Sequence, residues 1–110
     1  MNEEEQNLND FCNLIEKSFP GIHLTWDYET YQLYTVYNPQ AKTLSGERVW
    51  YYWDEGYVLP YINGIHSELI NWLLERGYVA VWDNKVTNIR DRTKGSSWIF
   101  INKIKSIENI

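Results

Sequence analysis

The apolar pattern changes period at Pro20-Gly21, and that change constrains the fold more than any other feature of the chain. Before it, Leu8, Phe11, Cys12, Leu14 and Ile15 recur at three- and four-residue spacing and form one apolar stripe on a helix. After it, Ile22, Leu24, Trp26 and Tyr28 alternate with His23, Thr25 and Asp27, the period of a strand with one apolar face. A helix with so narrow a stripe buries it against a sheet, so the two patterns belong to one core.

The remaining punctuation fills in the order of elements. Residues 2–18 read as the helix, with Glu3, Glu4 and Glu5 at its positive end and Lys17 at the other. A turn at Glu29-Thr30 would pair Tyr28 with Tyr31, Trp26 with Leu33 and Leu24 with Thr35. Residues 38–46 open on Asn-Pro and read as a loop. Residues 49–53 and 57–62 read as a second hairpin closed by Asp54-Glu55-Gly56, in which Trp53 faces Tyr57 and Tyr51 faces Leu59. Pro60 confines that last strand to an edge or ends it. A second helix is expected over 65–76, with Gly77 just past its last turn. Strands follow at 78–82, 85–89 and 98–101, and the tail to Ile110 reads equally as strand or short helix. The expectation is a single α+β domain over residues 1–110, with an N-terminal helix, two β-hairpins, a second helix, and two or three strands completing a mainly antiparallel sheet.

Little in the chain suggests bond-making chemistry. The six glycines are scattered at turns, so there is no phosphate-cradling loop. One cysteine excludes an internal disulfide, and Cys12 sits within the helical stripe as a buried thiol. His23 and His66 stand too far apart in sequence to nucleate a transition-metal site. The carboxylate pairs Asp27/Glu29 and Asp54/Glu55 read as solvated hairpin ends rather than an acid–base couple. His66, near the start of the second helix, could serve as a base with Glu68 or Asp54, but the helix dipole disfavours its protonated form. Ser45, Ser96 and Ser97 have no motif placing a base beside them. No enzyme, metal or cofactor is expected.

What stands out instead is a surplus of rings. Eighteen of the 110 residues are aromatic, six of them between Trp50 and Tyr61. In the expected second hairpin both faces carry aromatics, so either a helix covers each face or one row of rings is available to a partner. Tyr and Trp bury large area at low entropy cost, so Tyr34, Tyr51, Trp53 and Tyr57 are the candidate anchors. Asp27, Glu29, Asp54 and Glu55 are the candidate steering charges.

Charge supports that reading. Residues 1–84 carry thirteen acidic and four basic side chains, a balance of −9, and residues 85–110 carry six basic and two acidic, a balance of +4. An acidic, aromatic surface fits a protein-binding module that docks a basic protein target, as an inhibitor or immunity-type protein does when its carboxylates stand in for phosphates. Two alanines against eleven Asn and eleven Ile suggest AT-rich coding, as in low-GC bacteria and their phages. Single-stranded nucleic-acid binding is the alternative, with bases stacked on exposed rings and phosphates held by Arg90, Arg92 and Lys94; a pI near 4.9 weighs against it. A homodimer that buries the aromatic faces is a third reading. The acidic N-terminus and the lack of a long apolar run point to a cytoplasmic chain with no membrane partner.

Overall fold

The computed structural model describes residues 1–51, 59–83 and 96–105. Helix α1 (Glu3–Ser18) begins on a capping box: the Asn2 side chain accepts the Glu5 N–H at 2.8 Å, and the Glu5 carboxylate accepts the Asn2 N–H at 3.2 Å. It ends at Phe19, whose N–H returns to the Ile15 carbonyl. The stripe read from the sequence is only partly buried. Cys12 and Ile15 reach the core, whereas Leu14 is exposed.

Strands β1 (Thr25–Trp26), β2 (Leu33–Val36), β5 (Tyr78–Trp82) and β6 (Trp98–Lys103) form one antiparallel sheet in the order β1-β2-β6-β5. The first hairpin keeps the expected register, with Trp26 opposite Leu33. Its strands stop earlier than expected, because the Asp27 carbonyl accepts the Tyr31 N–H and Tyr31 takes a left-handed φ of 61°. Tyr28 therefore leaves the apolar face and stands in solvent.

Between β2 and α2 the described residues pair differently from the expected second hairpin, whose 52–58 stretch, like the expected strand 85–89, lies outside the described residues. Strands β3 (Tyr61–Ile62) and β4 (Ile65–His66) form a small hairpin of their own around Asn63-Gly64. On its far side β4 is bonded by the 49–51 segment: the His66 N–H reaches the Val49 carbonyl, the Tyr51 N–H reaches the Gly64 carbonyl, and Trp50 bridges Ile65. Residues 49–51 thus pair with 64–66, whereas the sequence reading paired them with 57–62. Helix α2 (Ser67–Glu75) starts two residues later than its apolar pattern suggests, because Ile65 and His66 are committed to strand bonds.

Loop 38–46 is as expected, but it is docked rather than free. Ala41 and Thr43 are buried, the Lys42 N–H bonds the Pro20 carbonyl, and the Asn38 amide donates to the Gly21 carbonyl. Gly21 has φ +93°, and a Cβ there would lie 2.7 Å from the Ala41 Cα, so only glycine fits this contact.

The core gathers Ile15 and Phe19 of the α1 region, Leu69 and Leu73 of α2, and Leu33, Ile99, Ile101 and Trp82 of the sheet, closed by Val49, Trp50 and Ile65. The Trp50 ring is almost wholly buried and meets Trp82 edge-on at 5.8 Å. No helix among the described residues is long and apolar enough to cross a membrane.

Candidate functional site

Strand alternation sorts the four-stranded sheet into two faces. Leu33, Thr35, Ile99, Ile101 and Trp82 point into the core. The register sets Thr25, Tyr34, Phe100 and Val81 in one row across the opposite face, with Val36 beside Trp98 in another. This outer face is apolar yet open: Val36 is 46% exposed, Trp98 47% and Val81 50%. Solvated sheet faces are ordinarily polar, and contiguous exposed apolar patches mark contact sites.

The rings on this face are organised. Tyr34 and Trp98 meet edge-to-face, with centroids 5.4 Å apart. Together with Phe100, Gln32, Thr30 and Asp27 they line a cleft of about 330 Å³. Asp27 Oδ1 accepts the backbone N–H groups of Glu29 at 2.7 Å and Thr30 at 3.1 Å. Those hydrogen bonds, Glu29's first, hold its carboxyl below the ordinary carboxylate range. The cleft thus offers aromatic walls and a fixed negative charge, and none of its lining residues is cationic.

Of the residues singled out in the sequence, Tyr34 and Asp27 come together here. Glu29 is exposed in the adjoining turn, where its backbone orients Asp27; the two carboxylates do not form a pair on one strand. Tyr51 belongs to a different cluster. It is half-buried, its ring lies 5.3 Å from Tyr61, and the Arg48 guanidinium sits 5.9 Å above it. Trp53, Asp54, Glu55 and Tyr57, with Arg90, Arg92 and Lys94, lie outside the described residues. Sequence reasoning missed Trp98 and Phe100 as surface rings. They sit in the uninterrupted apolar run Trp98-Ile99-Phe100-Ile101, where period two gives no hint of which row turns outward.

A second polar cluster surrounds His66, which is buried at the start of α2. Its Nδ1 accepts the Glu68 N–H at 3.0 Å and so caps the helix, while Nε2 lies 3.1 Å from Glu47 Oε1. Ser45 donates to Glu68 and contacts Thr43, whose hydroxyl accepts the Glu47 N–H. Ligand atoms of Glu47, His66 and Glu68 lie within 4.8 Å of one another. A metal on Nε2 would need the imidazole proton on Nδ1, facing the Glu68 N–H that now donates to it. The bonding assigns His66 to a structural role as an N-cap.

Neither a scan against protein-family models nor searches of curated proteins and of solved structures finds a match to this chain.

Proposed function

We propose that this protein is a binding module whose outer sheet face docks a basic protein surface. The observation that carries the reading is the cleft in which Tyr34, Trp98 and Phe100 converge beside the Asp27 carboxylate. Rings of this kind anchor interfaces, and a cationic side chain is drawn both to their π faces and to the carboxylate. In this reading the target is a nucleic-acid-handling protein, and the chain acts as an inhibitor or immunity-type partner whose carboxylate occupies a phosphate position. A nucleic-acid strand fits less well, since Asp27 would repel its backbone where the bases would stack.

The test is capture of a partner from host lysate by the immobilised chain, compared across Tyr34→Ala, Trp98→Ala and Asp27→Asn. Each ring truncation should weaken capture by roughly ten- to a hundredfold, equivalent to about 1–3 kcal/mol, with the melting temperature unchanged because these rings are outside the core. Capture that is indifferent to all three substitutions, or that is abolished by nuclease, overturns the proposal.

A further inference from the structure

Among the described residues the sheet ends on β5, and nothing in that strand discourages a further strand from joining it. Exposed edges are ordinarily protected by Lys, Pro or a bulge. Strand β5 reads Tyr-Val-Ala-Val-Trp and carries none of these. Its hydrogen-bond phase is set by the Ile104 N–H bonded to the Gly77 carbonyl at 2.8 Å. With the register Val79 opposite Asn102 and Val81 opposite Phe100, the backbone groups of those two valines turn inward to β6. The N–H and C=O of Ala80 turn the other way. Ala80 is half-buried, and neither group has a hydrogen-bond partner among the described residues. Backbone groups of an edge strand that face outward are a template on which another extended segment can pair.

Beside this edge runs a groove of about 340 Å³. Residues 79–82 of β5, Ile70 and Leu74 of α2, and Ile62, Asn63 and Ile65 of the β3–β4 hairpin line it. Ile62 and Leu74 each expose large apolar surface beside it. None of the lining residues is charged.

We propose that this groove receives a single extended peptide segment of a partner protein, uncharged and apolar at alternate positions, as an added strand on β5. One residue of the segment would exchange both backbone hydrogen bonds with Ala80, and alternate side chains would pack on Ile70 and Leu74. The charge complementarity is that of an uncharged wall: a charged side chain buried against it would lose its hydration without a counter-charge. A second copy of the chain is the poorer occupant. The groove is lined by the hairpin and α2 as well as by β5, which leaves room for one segment rather than a second sheet, and two chains of net charge −5 repel. The groove shares no lining residue with the Tyr34 cleft, so this inference is tested independently of the proposed function.

Displayed random peptides panned against the folded chain supply the test. Enriched sequences should alternate apolar residues with few charges. The corresponding synthetic peptide should slow hydrogen exchange at the Ala80 amide. Ala80→Pro removes the free donor without touching a bond to β6, and should weaken binding about tenfold or more, while Tyr34→Ala should leave it unchanged. Should the proline variant fail to fold, peptides N-methylated at alternate amides keep the question decidable: one phase should bind and the other should not. No enrichment, binding that survives Ala80→Pro, or equal tolerance of both methylation phases overturns the inference. So does a doubled mass in light scattering that reverts to monomer in the proline variant, which would make the occupant a second copy.

Discussion

At the scale of single residues, two buried groups make sharp predictions. Burial, reinforced by the neighbouring Glu16 carboxylate, pushes the Cys12 thiol up from 9.0 to about 11. The folded state therefore holds the thiol proton where the unfolded chain has released it. Stability should be fully present below pH 9 and should fall as pH rises toward about 11. Urea titrations across that range should show a shallower fall in Cys12→Ala, with the residual slope belonging to groups such as Tyr61, which burial shifts the same way. An unchanged slope would place the thiolate in solvent. The second group is the Trp50 indole N–H, buried without a hydrogen-bond partner. Leaving a donor unmade costs about 1–3 kcal/mol, so Trp50→Phe loses ring contacts but removes that penalty. We expect it to destabilise by less than about 1.5 kcal/mol, against about 3–5 kcal/mol for Trp50→Ala. Equal losses in chemical denaturation would show that the N–H is bonded after all.

At the scale of elements, what was legible in the sequence divides along a physical line. Periodicity placed α1 and the β1–β2 register, because each has one apolar face, while β5, apolar on both faces, was bounded by the turn chemistry of Gly77 and Asp83. It misplaced the pairing of residues 49–51, since an aromatic run without alternation carries no register information. It also extended α2 over Ile65 and His66: their apolar spacing suits a helix, yet both are held by β4 bonds. Half of the described site was visible, through Tyr34 and Asp27; Trp98 and Phe100 were hidden by the unbroken apolar run of β6. The docking of loop 38–46 was also invisible, because it depends on a close approach that no periodicity records. That approach is testable at its two glycines. Gly46 has φ +92° with open space around it, so Gly46→Ala should cost only left-handed strain, about 1–2 kcal/mol. Gly21→Ala adds a collision with the Ala41 backbone and should cost clearly more. Melting curves showing equal losses would mean that the loop yields freely.

At the scale of the whole molecule, the contest is between an apolar sheet face that favours association and a net charge of −5 that opposes self-association. If the outer face were merely a dimer interface, light scattering at micromolar concentration would return twice the 13.2 kDa chain mass. We expect a monomer, because burying Tyr34 and Trp98 against their own copies would bring two Asp27 carboxylates onto one face. The same charge should shape encounter with a basic partner. The screening length shrinks from about 30 Å at 0.01 M salt to about 8 Å at 0.15 M. Attraction that reaches across many ångströms at low salt therefore acts only near contact at physiological salt, and the association rate should fall steeply between the two. The rings act differently, since they matter only after contact. Asp27→Asn should lower the association rate and flatten its salt dependence while leaving dissociation nearly unchanged. Trp98→Ala should accelerate dissociation and leave the salt dependence intact. Surface plasmon resonance on the captured partner separates the two effects. An Asp27→Asn variant with wild-type association at every salt concentration would show that steering arises elsewhere on the chain.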